Sequence, residues 1–371
     1  MMDGEFFSIQ DYIIPEWAHH LQNIPKHFVK LSNLNTPIHR WTLPDLPDDI
    51  CVYIKRDDLT GAELSGNKVR PLQILFAEAL QQGAKHVVTG GGPQSGHCRA
   101  VSLICRSLGL KPHIVIEGVY KREGLGTLAN TLLYRMAGSK IYLAPADSYE
   151  SFTRQVRKMK QYICDKYNEN CYCIPVGGAA VSGLFAFISA FDELMSQGLQ
   201  ERFDDIVLTI ATGGTALGLA IANYLTGSKL RVHAVTISLS KEELYANQDK
   251  LLVDIGLDSV KSSDILDIIE GYVGDGYGTA THAGLEFITK ISSTTGILLD
   301  PYYTGKGAMG MVNELRNNGG RFKGNRILFI HTGGIFGLFN GEMDRVLDKD
   351  NSVTNDITEW TDEAVSPVTS I

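Results

Sequence analysis

Two hydrophobic rhythms alternate along the chain. Short apolar runs of strand length occur at Cys51–Lys55, 86–89, 113–116, Lys140–Ala144 and Asp205–Ile210, and between them apolar residues recur three and four apart. Leu72, Leu75, Phe76, Ala79 and Leu80 carry the helical spacing after Pro71, a residue suited to a first helical turn, and Gly83 stops it. The same spacing runs through Val101, Ile104, Cys105 and Leu108, and predicts further helices over 127–137, Tyr149–Tyr167, 182–197 and 216–225, with strands at 171–176 and 231–237. Beyond these the pattern predicts a helical middle over 241–270, a glycine-rich loop at 271–278, helices over 283–292 and 305–317, and strands at 297–299 and Arg326–Ile330. The run Asp205–Ile210 is nearly continuous in apolar character, as a strand covered on both faces must be. Strand-helix alternation of this kind predicts an α/β protein, and two open, twisted, mostly parallel sheets with covering helices suit it better than one.

Composition narrows the function. With 371 residues, 44% of them hydrophobic, the chain can build two ordinary domains. A net charge of −8 argues against a nucleic acid or an anionic membrane as partner. No apolar run is long enough to span a bilayer, and the first twenty residues, with Asp3, Glu5 and Asp11, do not read as a secretory signal. The six cysteines show no CxxC pair and no disulfide framework, so reduced thiols in the cytoplasm are expected. Cys171 and Cys173 share one face of a strand and read as core thiols; no metal site is expected. From residue 348 onward, Asp, Asn, Ser, Thr and Glu dominate, which predicts a mobile tail over 348–371.

The stretch Ser65-Gly66-Asn67-Lys68-Val69-Arg70 is the candidate chemical centre. A lysine becomes a nucleophile when it is desolvated or stands beside another cation, and Arg70 is the expected cation. By itself such a lysine reads as a solvated loop residue; its neighbours along the fold change that reading. Thr212-Gly213-Gly214-Thr215 follows a strand and opens a helix, where free amides and the helix dipole hold an anion. Gly213, Gly214 and Gly218 match part of a dinucleotide fingerprint, but the next strand ends Thr236-Ile237-Ser238 without the acid that would hold a ribose. One phosphate is the better occupant, with a ligand-free tight turn as the bland alternative. The earlier turn, 89–97, suits a substrate carboxylate, with the Ser95 hydroxyl toward the reacting atoms. It lacks the glycine that a hydrolase elbow places two residues before the serine. His97 reads as a capping or packed residue rather than a base, and Tyr302 and Tyr303 as packing residues or as rings that stack on a cofactor and move a proton.

Taken in order, Lys55-Arg56-Asp57-Asp58-Leu59, Ser65-Gly66-Asn67-Lys68, Gln94-Ser95-Gly96-His97, Asp300-Pro301-Tyr302-Tyr303-Thr304-Gly305-Lys306 and His331-Thr332-Gly333-Gly334 resemble the D-cysteine desulfhydrase and 1-aminocyclopropane-1-carboxylate deaminase family. These are fold-type II pyridoxal phosphate enzymes, similar to tryptophan synthase β, and the resemblance spans about 37–339. It implies that Lys68, with Asn67 beside it, holds pyridoxal phosphate as a Schiff base and handles protons. Thr212, Gly213, Gly214 and Thr215 would then hold the phosphate, and Thr332 would meet the pyridine side. Ser95, Gly96 and His97 would take the substrate carboxylate, Tyr277 and Tyr303 would be the active-site tyrosines, and Thr304 would lie beside the substrate. It implies a large domain of residues 1–70 plus 186–347, a smaller mobile domain over 71–185, and a homodimer.

One departure stands out. Family members usually read Ser-Asn where this chain reads Ser95-Gly96, which removes an amide that resembles a partner for the cofactor's phenolic oxygen. The activity implied is elimination from D-cysteine to pyruvate, sulfide and ammonia, with ring opening of 1-aminocyclopropane-1-carboxylate as the alternative. In ring-opening members the positions of Thr304 and Thr332 are typically Glu and Leu, so two threonines favour the first. A catalytically weak protein that binds pyridoxal phosphate or another phosphate ligand is the alternative of another class, and a nicotinamide oxidoreductase is the least favoured.

Overall fold

A computed structural model describes residues 5–145 and 148–347, so the tail at 348–371 lies outside the described residues. Its strands are β1 (Ile9–Asp11), β2 (His27–Val29), β3 (Ile38–Arg40), β4 (Cys51–Lys55), β5 (His86–Gly91), β6 (Lys111–Glu117), β7 (Lys140–Ala144), β8 (Cys171–Cys173), β9 (Asp205–Ile210), β10 (Arg231–Thr236), β11 (Asp267–Ile269) and β12 (Arg326–Ile330). A six-stranded sheet runs β11-β10-β9-β12-β4-β3, a four-stranded sheet runs β7-β6-β5-β8, and β1 pairs with β2. Every pairing within the two larger sheets is parallel except β3 with β4.

Side-chain alternation explains why both sheets are covered on two faces. Along β9, Ile206, Leu208 and Ile210 pack with Phe191, Leu194, Leu219 and Ala220 of helices Val181–Ser196 and Gly214–Leu225. Val207 points the other way, into a core with Leu285, Ile288, Met311 and Leu315 of helices His282–Thr295 and Thr304–Asn317. The smaller sheet repeats the arrangement. Val87 packs with Leu72, Leu75, Val101 and Ile104, whereas Val88 and Val115 pack with Phe152, Val156 and Ile163 of helix Tyr149–Tyr167.

Both sheets reverse their strand order at one point. From β9 the chain builds outward through β10 and β11, and β12 returns on the other side of β9; from β5 it builds outward through β6 and β7, and β8 returns on the other side of β5. Ligands of such sheets sit beyond the C-terminal strand ends at the reversal. The segments there are 211–215 and 331–334 in the larger sheet, and 92–97 and 176–178 in the smaller.

Two expected elements differ. Residues 297–299 form no strand: the Ile297 amide donates to Thr295 Oγ1 at 3.3 Å and the Leu298 carbonyl accepts from His331 Nε2 at 2.9 Å, so no sheet edge lies alongside. The stretch 241–270 is a helix only over Lys241–Asp254, closed by Gly256 at φ +83°, and it also holds the short helix Ser262–Ile265 and strand β11, which is too short to announce itself by periodicity. Strands β1, β2 and β3, three residues each, went unanticipated for the same reason. Among the described residues all six cysteines are unpaired, and no helix is long and apolar enough to cross a membrane.

Candidate active site

The Lys68 turn is pinned by backbone contact. Gly66 adopts φ +109°, and a Cβ there would stand 2.9 Å from the Thr332 carbonyl, so only glycine permits this approach. The Asn67 amide donates to that carbonyl at 3.0 Å, and Asn67 Nδ2 donates to Thr215 Oγ1 at 3.0 Å. One residue therefore ties the lysine turn to the loops beyond β12 and β9. Lys68 Nζ donates to the Gly177 carbonyl at 2.8 Å, and among the described residues it makes no ion pair. Burial without a counter-charge lowers its pKa from 10.5 to about 8.

Arg70 is not the cause of that shift. Its guanidinium is buried between Asp57, at 2.8 Å to each carboxylate oxygen, and Glu193, at 2.9 and 3.2 Å, and Glu193 also binds Lys55. Two carboxylates neutralise it, and desolvation alone acts on Lys68. These partners lie 13 and 123 residues away in sequence, beyond the reach of a local motif. Gly177 was also missed, although a signal exists: Val176-Gly177-Gly178 follows strand β8, and Gly177 takes φ +67°.

The glycine turn stands beside the amine. A Cβ on Gly177 would lie 3.1 Å from Thr212 Oγ1 and 3.6 Å from Lys68 Nζ. Gly213, at φ +89°, caps the helix Gly214–Leu225, and a Cβ on Gly214 would meet nothing within 4 Å. The first amides of that helix lack intrahelical partners, the arrangement by which a helix N-terminus holds an anion.

The third segment is the loop after β5. Ser95 Oγ accepts from the Cys98 amide at 3.2 Å and so caps the helix Gly96–Ser107. Gly96 is free of positive φ, and a Cβ on it would meet nothing within 4 Å, so the backbone there has room for a side chain. His97 lies 2.9 Å from Thr89 Oγ1 through Nε2; burial, and then the charge of Lys68, push its pKa down to about 3, so the imidazole is neutral. Of the tyrosines, Tyr303 donates its hydroxyl to the Thr209 carbonyl at 2.9 Å, and burial raises its pKa. Tyr277 is 55% exposed, with its ring edge 3.8 Å from where a Gly92 Cβ would stand. Thr332 is buried, and Thr304 is fully so, its Oγ1 accepting from the Asp300 amide at 3.0 Å.

The residues present fit pyridoxal phosphate. Lys68 offers a desolvated amine without a carboxylate partner, Thr212–Thr215 an open helix N-terminus beside it, and Tyr303 a ring fixed through its hydroxyl. Residues 29–333 match the family described as pyridoxal-phosphate dependent enzyme. The bifunctional D-cysteine desulfhydrase/1-aminocyclopropane-1-carboxylate deaminase of Arabidopsis thaliana, a mitochondrial protein, is 39% identical over 346 residues, covering 91% of this chain and 85% of its own. The D-cysteine desulfhydrase of Salmonella newport is 31% identical over 331 residues, covering 86% and 97%. The crystal structure of an ACC deaminase homologue superposes with a TM-score of 0.77 at 30% identity, covering 90% of this chain and 99% of that one. The chain belongs to the D-cysteine desulfhydrase and 1-aminocyclopropane-1-carboxylate deaminase group of the fold-type II pyridoxal-phosphate dependent enzymes.

Proposed function

We propose that this chain eliminates the β-substituent from a small D-amino acid, D-cysteine first, giving pyruvate, sulfide and ammonia. The observation that carries the reading is the desolvated Lys68 amine, held on the Gly177 carbonyl where the reversal points of both sheets meet. Pyridoxal phosphate, when bound, supplies the sink for the electron pair left at Cα. With a pKa of about 8, Lys68 Nζ is partly uncharged near neutral pH and can take the Cα proton. The amides of Gly96 and His97, at the start of a helix capped by Ser95, hold the substrate carboxylate at a positive helix end. Neutral His97 adds no charge that would compete for it. Tyr303, tethered to Thr209, keeps its ring in place, and exposed Tyr277 covers the mouth beside Gly92.

Ring opening of 1-aminocyclopropane-1-carboxylate is the second reading, because relatives carry both names. A ring opening without a good leaving group asks for a deeper electron sink, which a carboxylate beside the pyridine nitrogen would provide. Here Thr304 is turned onto the Asp300 amide and Thr332 is a small hydroxyl residue. Assay of one preparation with both substrates tests the choice. Sulfide and pyruvate from D-cysteine with little 2-oxobutyrate are expected; efficient ring opening without elimination overturns the reading and leaves the fold and Lys68 intact.

A homodimer belongs to the same proposal. Leu132 and Met136, four apart on the helix Ala129–Met136, and Leu128, which caps its start, are 41%, 73% and 54% exposed, and Phe339, on the turn packed beside that helix, is 65% exposed. A second copy would cover this stripe; sedimentation of the Leu132→Glu variant as a monomer, against a dimeric parent, is the expected result. The unpaired thiols suit a reducing compartment, which supports placing the chain in the cytoplasm.

A further inference from the structure

The glycine turn has a buried neighbour that neither its sequence motif nor its strand-turn-helix pattern reveals. Gln248, on the helix Lys241–Asp254, is 0% exposed, and neither its Nε2 nor its Oε1 has a hydrogen-bond partner. Its carboxamide abuts the turn: a Cβ on Gly213 would stand 2.5 Å from Gln248 Nε2 and 3.4 Å from its Cδ. The helix is held in register with the turn from its own start, where Ser240 and Glu243 form a capping box and the nearby Ser238 hydroxyl donates to the Ala211 carbonyl at 3.3 Å. A buried amide that leaves both its donor and its acceptor unpaired destabilises the state in which it does so. Nothing in the packing demands it, since methionine has nearly the same length and shape without that penalty.

We propose that Gln248 is a positioning residue of the phosphate turn, its carboxamide gaining hydrogen-bond partners when a phosphate monoester occupies the N-terminus of the Gly214–Leu225 helix. A phosphate oxygen in the turn would accept from Gln248 Nε2, so the side chain favours the arrangement in which phosphate is bound. This rests on the reading of 212–215 as the cofactor's phosphate site, and it makes the contribution of Gln248 specific to the phosphate rather than to the ring or the lysine linkage. It also assigns a second reason for glycine at 213: the space that a side chain would take is filled by the carboxamide.

Gln248→Met is the direct test. The purified apoprotein should melt at the same temperature as the parent or higher. Its affinity for inorganic phosphate, by titration calorimetry, and for pyridoxal 5'-phosphate should fall about tenfold or more, as for loss of a hydrogen bond associated with a charged group. Affinity for pyridoxal, which has no phosphate, should stay within about twofold, well below one tenfold step. Equal losses for pyridoxal and its phosphate, or no loss for either, overturn the proposal and make Gln248 a packing residue. Should the Met variant fail to fold, Gln248→Glu keeps the shape and adds a negative charge; it should lose phosphate affinity, and an unchanged affinity overturns the proposal. Failure of the underlying reading looks different: the parent protein itself would then bind pyridoxal and its phosphate equally, or carry the pyridoxyl group elsewhere than Lys68.

Discussion

The two ends of the six-stranded sheet treat polar groups in opposite ways. At the N-terminal end, fully buried His233 on β10 lies 2.8 Å from Asp205 of β9 through Nε2 and 2.8 Å from Asp267 of β11 through Nδ1. Asp205 also accepts the amides of Lys323 and Gly324 at 2.9 Å each, and Arg321 joins Asp267 at 2.7 Å to Glu314 at 2.8 Å. At the C-terminal end the charges of Lys55, Asp57, Arg70 and Glu193 are paired as well, but other buried polar groups around the candidate site are left open. Among the described residues, the buried side-chain atoms without a partner are Ser65 Oγ, His97 Nδ1, Arg99 Nε, Asn130 Oδ1, Thr209 Oγ1 and both polar atoms of Gln248. Each of these residues belongs to or touches a segment of the candidate site. Arg99 donates to the Ser65 carbonyl, Asn130 to the Gln94 carbonyl, and Thr209 accepts from Tyr303. One end is built for stability, where pairing is complete, and the other keeps unsatisfied groups for a ligand.

The sharpest way to separate the ends is to remove Lys68. Lys68→Ala should keep the fold, because the amine makes one hydrogen bond and no ion pair, while turnover falls by roughly three orders of magnitude or more through loss of the acid-base and covalent roles proposed for it. Borohydride reduction of the parent followed by peptide mapping should find the pyridoxyl group on this lysine. Uptake of pyridoxal phosphate by the parent apoprotein should rise with pH through a midpoint of about 8, the value to which burial lowers the amine. A midpoint close to 10.5 would show a solvated lysine.

The opposite end should answer in stability and leave chemistry alone. His233→Gln removes the cation between buried Asp205 and partly buried Asp267 and should destabilise the fold by about 3 kcal/mol, the cost of breaking a buried pair. Its pH dependence has a sign. Hydrogen bonds to the two carboxylates raise the folded pKa of His233 against the penalty of burial, so its contribution is full below the ordinary value of 6.5 and is lost as pH climbs through the raised one. Asp267, held below the ordinary 3.8 by His233 and Arg321, contributes above that value and loses its share as pH falls through the depressed one. Thermal midpoints across pH should therefore show the parent losing its advantage over His233→Gln on the alkaline side. A constant gap between the two proteins would mean that the imidazolium is not the origin of the effect.

How far the sequence revealed this contrast depends on the range of each interaction. Strands β4, β7, β9 and β12 and the helix Tyr149–Tyr167 were legible to the residue, because each is bounded by local turn or capping signals, as Ser148 caps that helix by accepting from the Ser151 amide. The segments around Lys68, Thr212, Ser95 and Thr332 were legible as motifs, since glycine spacing after a strand is a local property. What joined them was not. The Asn67 to Thr215 bond spans 148 residues, and the Arg70 to Glu193 pair that removes Arg70 from the chemistry spans 123. Gln248 sits on a helix of ordinary polar pattern, where only tertiary packing shows that it is buried against Gly213.

The smallest effect within the site is expected at Gly96, where the family resemblance implies an asparagine. The position is the first residue of a helix capped by Ser95, its φ is not left-handed, and a Cβ would meet nothing within 4 Å. Gly96→Asn should therefore fold without strain, and the thermal midpoint should hold or rise, since replacing glycine in a helix removes up to about 1 kcal/mol of backbone entropy cost. The amide restored there resembles the family's partner for the phenolic oxygen of the cofactor, and one neutral hydrogen bond alters rates by about tenfold at most. Visible absorbance of the cofactor-loaded variant should shift, and elimination from D-cysteine should change within that range, with the pyridoxal phosphate affinity proposed to rest on Lys68 and 212–215 preserved. An Asn variant with the parent's spectrum and rate would show that this open position plays no part in tuning the site, and that the contrast between the two ends rests on the buried groups alone.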